Sequence, residues 1–298
     1  MTAHADRLSG VFLPVTTPFN QDMNVDYGAL KADMQFYAAS GVHGYLALGS
    51  NGENRSLSET EKLRVLETII AHRASNQIVM TGCIYDSTLL TIDFMRFAQS
   101  VGSDYATLLS PSYFRQYMTH DVLVEYFTEC ADSVVIPVLL YNAPGFTGVT
   151  LSPETVAVLA KHPNIVGMKD SASAGIENFC PLNGPKFSVL AGSANFFYPS
   201  MALGVRGGIV SLANAFPEAG LTLWKNGLQG QTPEGHAFHQ RMNEANRRIS
   251  GRYGVPGVKA AMDLAGLVGG YPRRPLRRLE GEDREAVGQA LREAGLLS

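Results

Sequence analysis

Eight short, β-prone apolar runs recur along this chain at 11–16, 44–48, 78–82, 105–109, 136–141, 165–169, 188–191 and 208–212. They are apolar almost throughout rather than alternating, the pattern of strands buried on both faces, as in a parallel sheet covered by helices. The segments between them carry helix signals. Ser58-Glu59-Thr60-Glu61 reads as a capping box that opens a helix to about Arg73. Ser152-Pro153-Glu154 places an N-cap before a proline at the first helical position. Residues 27–39, 89–100, 119–131 and 195–203 space their apolar side chains for one helix face. Strand–helix units of roughly 25–30 residues are the size of a βαβ block, and eight of them predict a closed (β/α)8 TIM barrel. A doubly wound open sheet is the alternative, but it carries a glycine fingerprint after its first strand. Here that strand runs into Thr16-Thr17-Pro18-Phe19. The strands stop near Leu228, and residues 238–249 and 258–267 read as helices. The expected division is therefore a catalytic barrel over 1–225 and a C-terminal helical segment over 226–298.

Composition narrows the function classes. Of 298 residues, 45% are hydrophobic and 17% charged, with a net charge of −3, which argues against binding to nucleic acid or an anionic membrane surface. The longest strongly apolar run, 134–141, is far short of the roughly 20 residues that cross a bilayer. The opening MTAHADRLSG has no basic segment followed by an apolar one, so a cytoplasmic location is expected. Three widely spaced cysteines predict buried reduced thiols rather than disulfides. Among seven histidines only His236 and His239 share a helical spacing, without an acidic partner motif, so no metal site is expected. Residues 226–298 carry 11 basic and 8 acidic residues, against 13 and 19 before them. The run Arg273, Arg274, Arg277, Arg278 reads as a solvated tail or an oligomer contact.

Active sites of such barrels lie at the carboxyl ends of the strands. Of seven lysines only Lys169 ends an apolar strand. Burial disfavours an ammonium ion, and a neutral amine at a barrel mouth can attack a carbonyl carbon to form a Schiff base. The alternative is a lysine paired with Asp170 or another carboxylate. Tyr141 ends the preceding strand and could shuttle protons for such an adduct, or be a core tyrosine bonded to a carbonyl. Gly49-Ser50-Asn51-Gly52-Glu53 follows the second strand. Its N–H groups with Ser50 and Asn51 could cradle a carboxylate, or the loop could be a plain turn into the capped helix.

Together, Gly49-Ser50-Asn51-Gly52-Glu53, Tyr141-Asn142-Ala143-Pro144, Gly167-Met168-Lys169-Asp170-Ser171 and Leu190-Ala191-Gly192-Ser193 resemble the dihydrodipicolinate synthase / N-acetylneuraminate lyase family of class I, pyruvate-dependent aldolases. The likeness runs from about Gly10 to Leu279. It is greatest to the 4-hydroxy-2-oxoglutarate aldolase subgroup, through Ser50-Asn51, the string NIVGMKDS at 164–171 and Tyr253-Gly254-Val255-Pro256-Gly257-Val258-Lys259. The resemblance implies Lys169 as the Schiff-base lysine and Tyr141 as the proton relay. Ser50 and Asn51 would hold the substrate carboxylate, with Ser50 completing the relay. Tyr113 would reach into a neighbouring subunit's site, and Gly49, Ser171, Gly192 and Ile209 would line the pyruvate pocket. It also implies no metal or organic cofactor beyond the covalent imine at Lys169, a small 2-oxo acid as substrate, and a homotetramer built as a dimer of dimers.

Two departures bear on the substrate. Dihydrodipicolinate synthases carry Thr-Thr in place of Ser50-Asn51, and an arginine for the second substrate's carboxylate in place of Phe146. A phenyl ring makes no charge-assisted contact. Arg115 is a candidate donor in its stead. The reading is a lyase cleaving a 4-hydroxy-2-oxoglutarate-like acid to pyruvate and an aldehyde. The alternatives are a 2-keto-3-deoxy sugar acid aldolase or dehydratase, 4-hydroxy-tetrahydrodipicolinate synthesis, a metal-dependent aldolase, or a non-catalytic keto-acid sensor.

Overall fold

A computed structural model describes residues 4–298. In chain order its elements are β1 (Gly10–Pro14), α1 (Tyr27–Ala39), β2 (Gly44–Ala47), α2 (Glu59–His72), β3 (Ile78–Cys83), α3 (Thr88–Ser100), β4 (Tyr105–Leu109), α4 (His120–Asp132), β5 (Val138–Asn142), α5 (Pro144–Thr147), α6 (Pro153–Leu159), β6 (Ile165–Asp170), β7 (Ser188–Ala191), α7 (Ala194–Met201), β8 (Gly207–Ile209), α8 (Pro217–Leu228), α9 (Pro233–Asn246), α10 (Val255–Leu264) and α11 (Gly281–Glu293). The eight strands are all parallel and close on themselves, β8 pairing with β1. The expected barrel is therefore the fold, and the open sheet is excluded by that closure.

Strand residues are buried throughout β1 to β8, which is why the runs lack alternation. One set of side chains fills the barrel, among them Phe12, Leu46, Met80, Leu139, Leu190 and Ile209. The other set packs outward under the helices, in the larger core that includes Val11, Ala47, Val79 and Met168. Local chemistry sets the boundaries. Ser58 and Glu61 form the reciprocal capping box of α2, and the Ser152 side chain accepts from Thr155 N at the start of α6. The strand read at 136–141 begins only at Val138, because Pro137 has no N–H for the ladder. The sixth strand–helix unit departs from the expectation: between β6 and β7 the chain makes two 3-10 turns, Ile176–Asn178 and Cys180–Leu182, and no α-helix.

The C-terminal segment folds back over the barrel. α9 lies against α7 and α8, a π-helical turn (Arg247–Gly251) follows, and α10 and α11 pack together. The arginine run is only partly solvated: Arg274 and Arg277 are exposed, while Arg273 and Arg278 are paired. Arg273 forms paired bonds to Glu61 at 2.7 Å and also donates to the carbonyls of Met23 and Ser56, while Arg278 pairs with Asp263 at 2.8 Å. Arg273 straps the chain to the barrel's upper rim because the Glu61 carboxylate of α2 and the carbonyls of Met23 and Ser56 meet it there, while Arg278 is held within the C-terminal segment by α10. The three cysteines are free and buried. No helix of the described residues is long and apolar enough to cross a membrane.

Candidate active site

Three lysines are buried: Lys62, Lys169 and Lys259. Lys62 pairs with Glu59 at 2.7 Å and Lys259 with Glu53 at 2.6 Å. Among the described residues Lys169 has no carboxylate within ion-pair distance. Asp170 is not its partner, since successive side chains on a strand face opposite ways. Asp170 instead accepts from Asn142 Nδ2 at 2.7 Å, and burial raises its carboxyl above the usual carboxylate range.

The β5–β6 register sets Tyr141 directly beside Lys169. The Lys169 Nζ donates to the Tyr141 hydroxyl at 3.3 Å and lies 4.4 Å from the ring centre. On its other side that hydroxyl meets Ser50 Oγ at 3.4 Å. Burial alone would raise the Tyr141 phenol. The Lys169 charge and the Ser50 bond act against this and outweigh it, holding the phenol below its ordinary value. A buried phenol poised this way exchanges its proton with a neighbour more readily than an isolated one.

Lys169 and Tyr141 open into a cavity of about 240 Å3 whose walls also include Ser50, Asn51, Phe146, Ser171 and Gly192. Asn51 Nδ2 donates to Ser211 Oγ at 2.8 Å, tying the loop after β2 to the turn after β8. Ser171 Oγ is buried without a hydrogen-bond partner in the protein, so a bound molecule could use it. Gly192 is required here: a Cβ at this position would stand 2.0 Å from Ser171 Oγ and 2.5 Å from the Asp170 carbonyl.

The other residues named from the sequence do not wall this cavity, and of these Tyr113 is expected at a neighbouring subunit's site rather than here. Ile209 points down into the barrel and packs with Leu190 and Phe12, because its place on β8 faces the filled interior. Gly49 turns the loop against Leu46 and does not reach the cavity wall. Tyr113 sits 79% exposed on the rim and walls neither this cavity nor the chamber beside it. Arg115 is exposed and its guanidinium lies against Gly148, outside the cavity. Conversely, Asn195 at the start of α7, and Asn246 and Ser250 at the π-helical turn, line the cavity without having been singled out. Asn246 Nδ2 donates to Asn195 Oδ1 at 2.7 Å. Polar residues on a helix read from sequence as solvent-facing, and only the fold-back of α9 reveals them. A second chamber of about 390 Å3 shares Ser50, Phe146, Gly254 and Val255 with the first. Its one arginine, Arg55, is paired with Asp86 at 2.7 Å.

Comparison with known proteins agrees with this geometry. Residues 7–294 match the model of the dihydrodipicolinate synthetase family. A 4-hydroxy-tetrahydrodipicolinate synthase of Methanosphaerula palustris is 34% identical over 289 residues, which cover 95% of this chain and 98% of that protein. Among solved structures, YagE of E. coli K12, a prophage protein of the dihydrodipicolinic acid synthase family in complex with pyruvate, superposes with a TM-score of 0.90 at 27% identity, covering 97% of this chain and 99% of its own. The dihydrodipicolinate synthase of Acinetobacter baumannii complexed with pyruvate gives 0.89 at 29% identity, covering 97% and 100%.

A closed parallel barrel with an unpaired buried lysine facing a tyrosine at its mouth, together with these relatives, defines a class I, pyruvate-dependent carbon–carbon lyase. The chain belongs to the dihydrodipicolinate synthetase family. The matches do not single out the 4-hydroxy-2-oxoglutarate aldolase subgroup.

Proposed function

We propose that the protein cleaves a 4-hydroxy-2-oxo acid to pyruvate and an aldehyde through an imine at Lys169. The observation that carries this reading is the buried Lys169 amine, free of any carboxylate and 3.3 Å from the Tyr141 hydroxyl at the wall of a polar cavity. Ser50, Asn51 and the loop N–H groups hold the substrate carboxylate. The neutral Lys169 nitrogen attacks C2, and loss of water leaves a protonated imine. The C3–C4 bonding pair moves into this electron sink as Tyr141, in contact with Ser50, takes the C4 hydroxyl proton. The aldehyde departs. The enamine takes up a proton at C3, and water returns pyruvate and the free amine. No step requires a metal or organic cofactor.

The cavity walls bear on the substrate's tail. Ser193, Asn195, Asn246 and Ser250 offer hydroxyls and amides, and apart from Lys169 the walls hold no cation. A second carboxylate buried there would go unpaired, which is costly. This favours a 2-keto-3-deoxy sugar acid over 4-hydroxy-2-oxoglutarate. The names of relatives such as the Methanosphaerula protein favour a second reading, condensation of pyruvate with an aldehyde in 4-hydroxy-tetrahydrodipicolinate synthesis. The aldehyde of that reaction bears a carboxylate, and Phe146 stands where its arginine would be.

Assay of the three substrate sets with product analysis decides among them. Pyruvate release from the sugar acid is the expected result, and turnover of pyruvate with aspartate semialdehyde alone would overturn the preference. Phe146→Arg adds a cation at the mouth. It is expected to raise kcat/KM for 4-hydroxy-2-oxoglutarate relative to the sugar acid by about 10-fold or more. An unchanged ratio would remove Phe146 from the tail's environment.

Assembly as a dimer of dimers belongs to the same proposal. Tyr113, Phe114 and Tyr117 form an exposed aromatic patch, the kind of surface a second copy covers. Sedimentation of the active enzyme as a monomer would end the role of Tyr113 in a neighbour's site.

A further inference from the structure

The loop that carries Ser50 and Asn51 is bracketed by two non-glycine residues in the left-handed region, Leu48 at φ 55° and Glu53 at φ 52°. Such backbone persists only where its surroundings hold it. Glu53 is held by its side chain. Its Oε1 is in ion-pair contact with Lys259 Nζ at 2.6 Å, both side chains only 2% exposed, and among the described residues this oxygen has no hydrogen-bond partner. Its Oε2 accepts from Arg273 N at 2.8 Å. Lys259 Nζ also donates to the carbonyls of Thr17 and Tyr271, each at 2.7 Å. Thr17 in turn donates to Gly52 O at 2.8 Å. One buried ion pair thus joins the loop after β1, the loop after β2, α10 and the C-terminal strap at the mouth of the barrel. The same α10 opens at Gly254 and Val255, which wall the cavity. Lys259 reaches neither the cavity nor the adjoining chamber, and Glu53 borders only the chamber.

A buried ion pair is a poor device for stability, since apolar side chains of equal volume often do as well or better. It does specify geometry, and the geometry at stake is narrow. Ser50 Oγ stands 3.4 Å from the Tyr141 hydroxyl, so a shift of a few tenths of an ångström takes it out of hydrogen-bond range. We propose that Glu53 and Lys259 are positioning residues for the proton relay, fixing the glycine loop so that Ser50 stays in contact with Tyr141. The inference rests on the imine chemistry proposed above.

Two readouts separate it from that chemistry and from a purely structural role. Pyruvate with borohydride reports imine formation at Lys169. Exchange of the pyruvate methyl hydrogens with deuterated solvent reports proton transfer through the relay. In Glu53→Gln, and in the double variant Glu53→Gln/Lys259→Met that leaves neither charge of the pair, the trapped imine should stay within about 2-fold of the unaltered enzyme. Exchange should fall by about 10- to 100-fold in both. The double variant should recover Tm without recovering exchange. In a Ser50→Ala background, Glu53→Gln should cost no further exchange, because the group it positions is gone. A double variant with restored Tm and unaltered exchange would overturn the proposal, as would losses that multiply in the Ser50→Ala background. Failure to trap an imine in the unaltered enzyme would instead overturn the proposed function itself.

Discussion

Lys169→Ala is expected to lower turnover by roughly 10,000-fold or more, the scale of loss when a covalent nucleophile is removed. The borohydride-trapped pyruvate adduct should vanish with it. The reasoning is particular to this lysine. Lys62 and Lys259 are equally buried, but each is held by a carboxylate, whereas among the described residues Lys169 hydrogen-bonds only to the Tyr141 hydroxyl. A lysine locked to a carboxylate is a poor nucleophile, whereas one aimed into a cavity with only a hydroxyl beside it is placed to attack a carbonyl carbon. The substitution should leave the fold intact, since the side chain ends in a polar cavity that water can fill. Mass detection of the reduced adduct is the check. An adduct that persists in the alanine variant would place the nucleophile on another residue.

Tyr141→Phe separates proton transfer from imine formation. The ring stays in place and only the hydroxyl is lost, with its contacts to Lys169 at 3.3 Å and Ser50 at 3.4 Å. The amine can still condense with pyruvate, so an imine should still be trapped. Turnover should fall by about 100- to 10,000-fold, the range for removal of a general acid–base group. Single-turnover trapping set against steady-state pyruvate release measures both quantities on one preparation. Near-normal turnover would take Tyr141 out of the relay.

Much of this site could be read from residue order because a parallel barrel ties position along a strand to position in space. Tyr141 and Lys169 each close an apolar run, and adjacent strands in register bring their side chains together. The Ser50–Asn51 loop follows β2 and so lies at the same end. What escaped reading came from contacts remote in sequence. Asn195 and Asn246 meet only because α9 returns over α7. Arg273 looked like part of a solvated charge cluster until Glu61, more than two hundred residues earlier, was found beside it. Ile209 sits near a strand end, but its side chain faces the filled barrel rather than the mouth.

Hydrophobic runs, caps and the order of strands were enough to specify the barrel and to set Lys169 and Tyr141 at the ends of neighbouring strands, because those properties are local or follow from the parallel topology. The class of chemistry came from the resemblance of the glycine, tyrosine and lysine motifs to a known family. Which buried lysine stays free of a carboxylate, what lines the substrate's tail and what holds the glycine loop depended on the folded chain. Those are matters of angströms between distant segments, and the energy of a buried charge turns on whether such a neighbour is there.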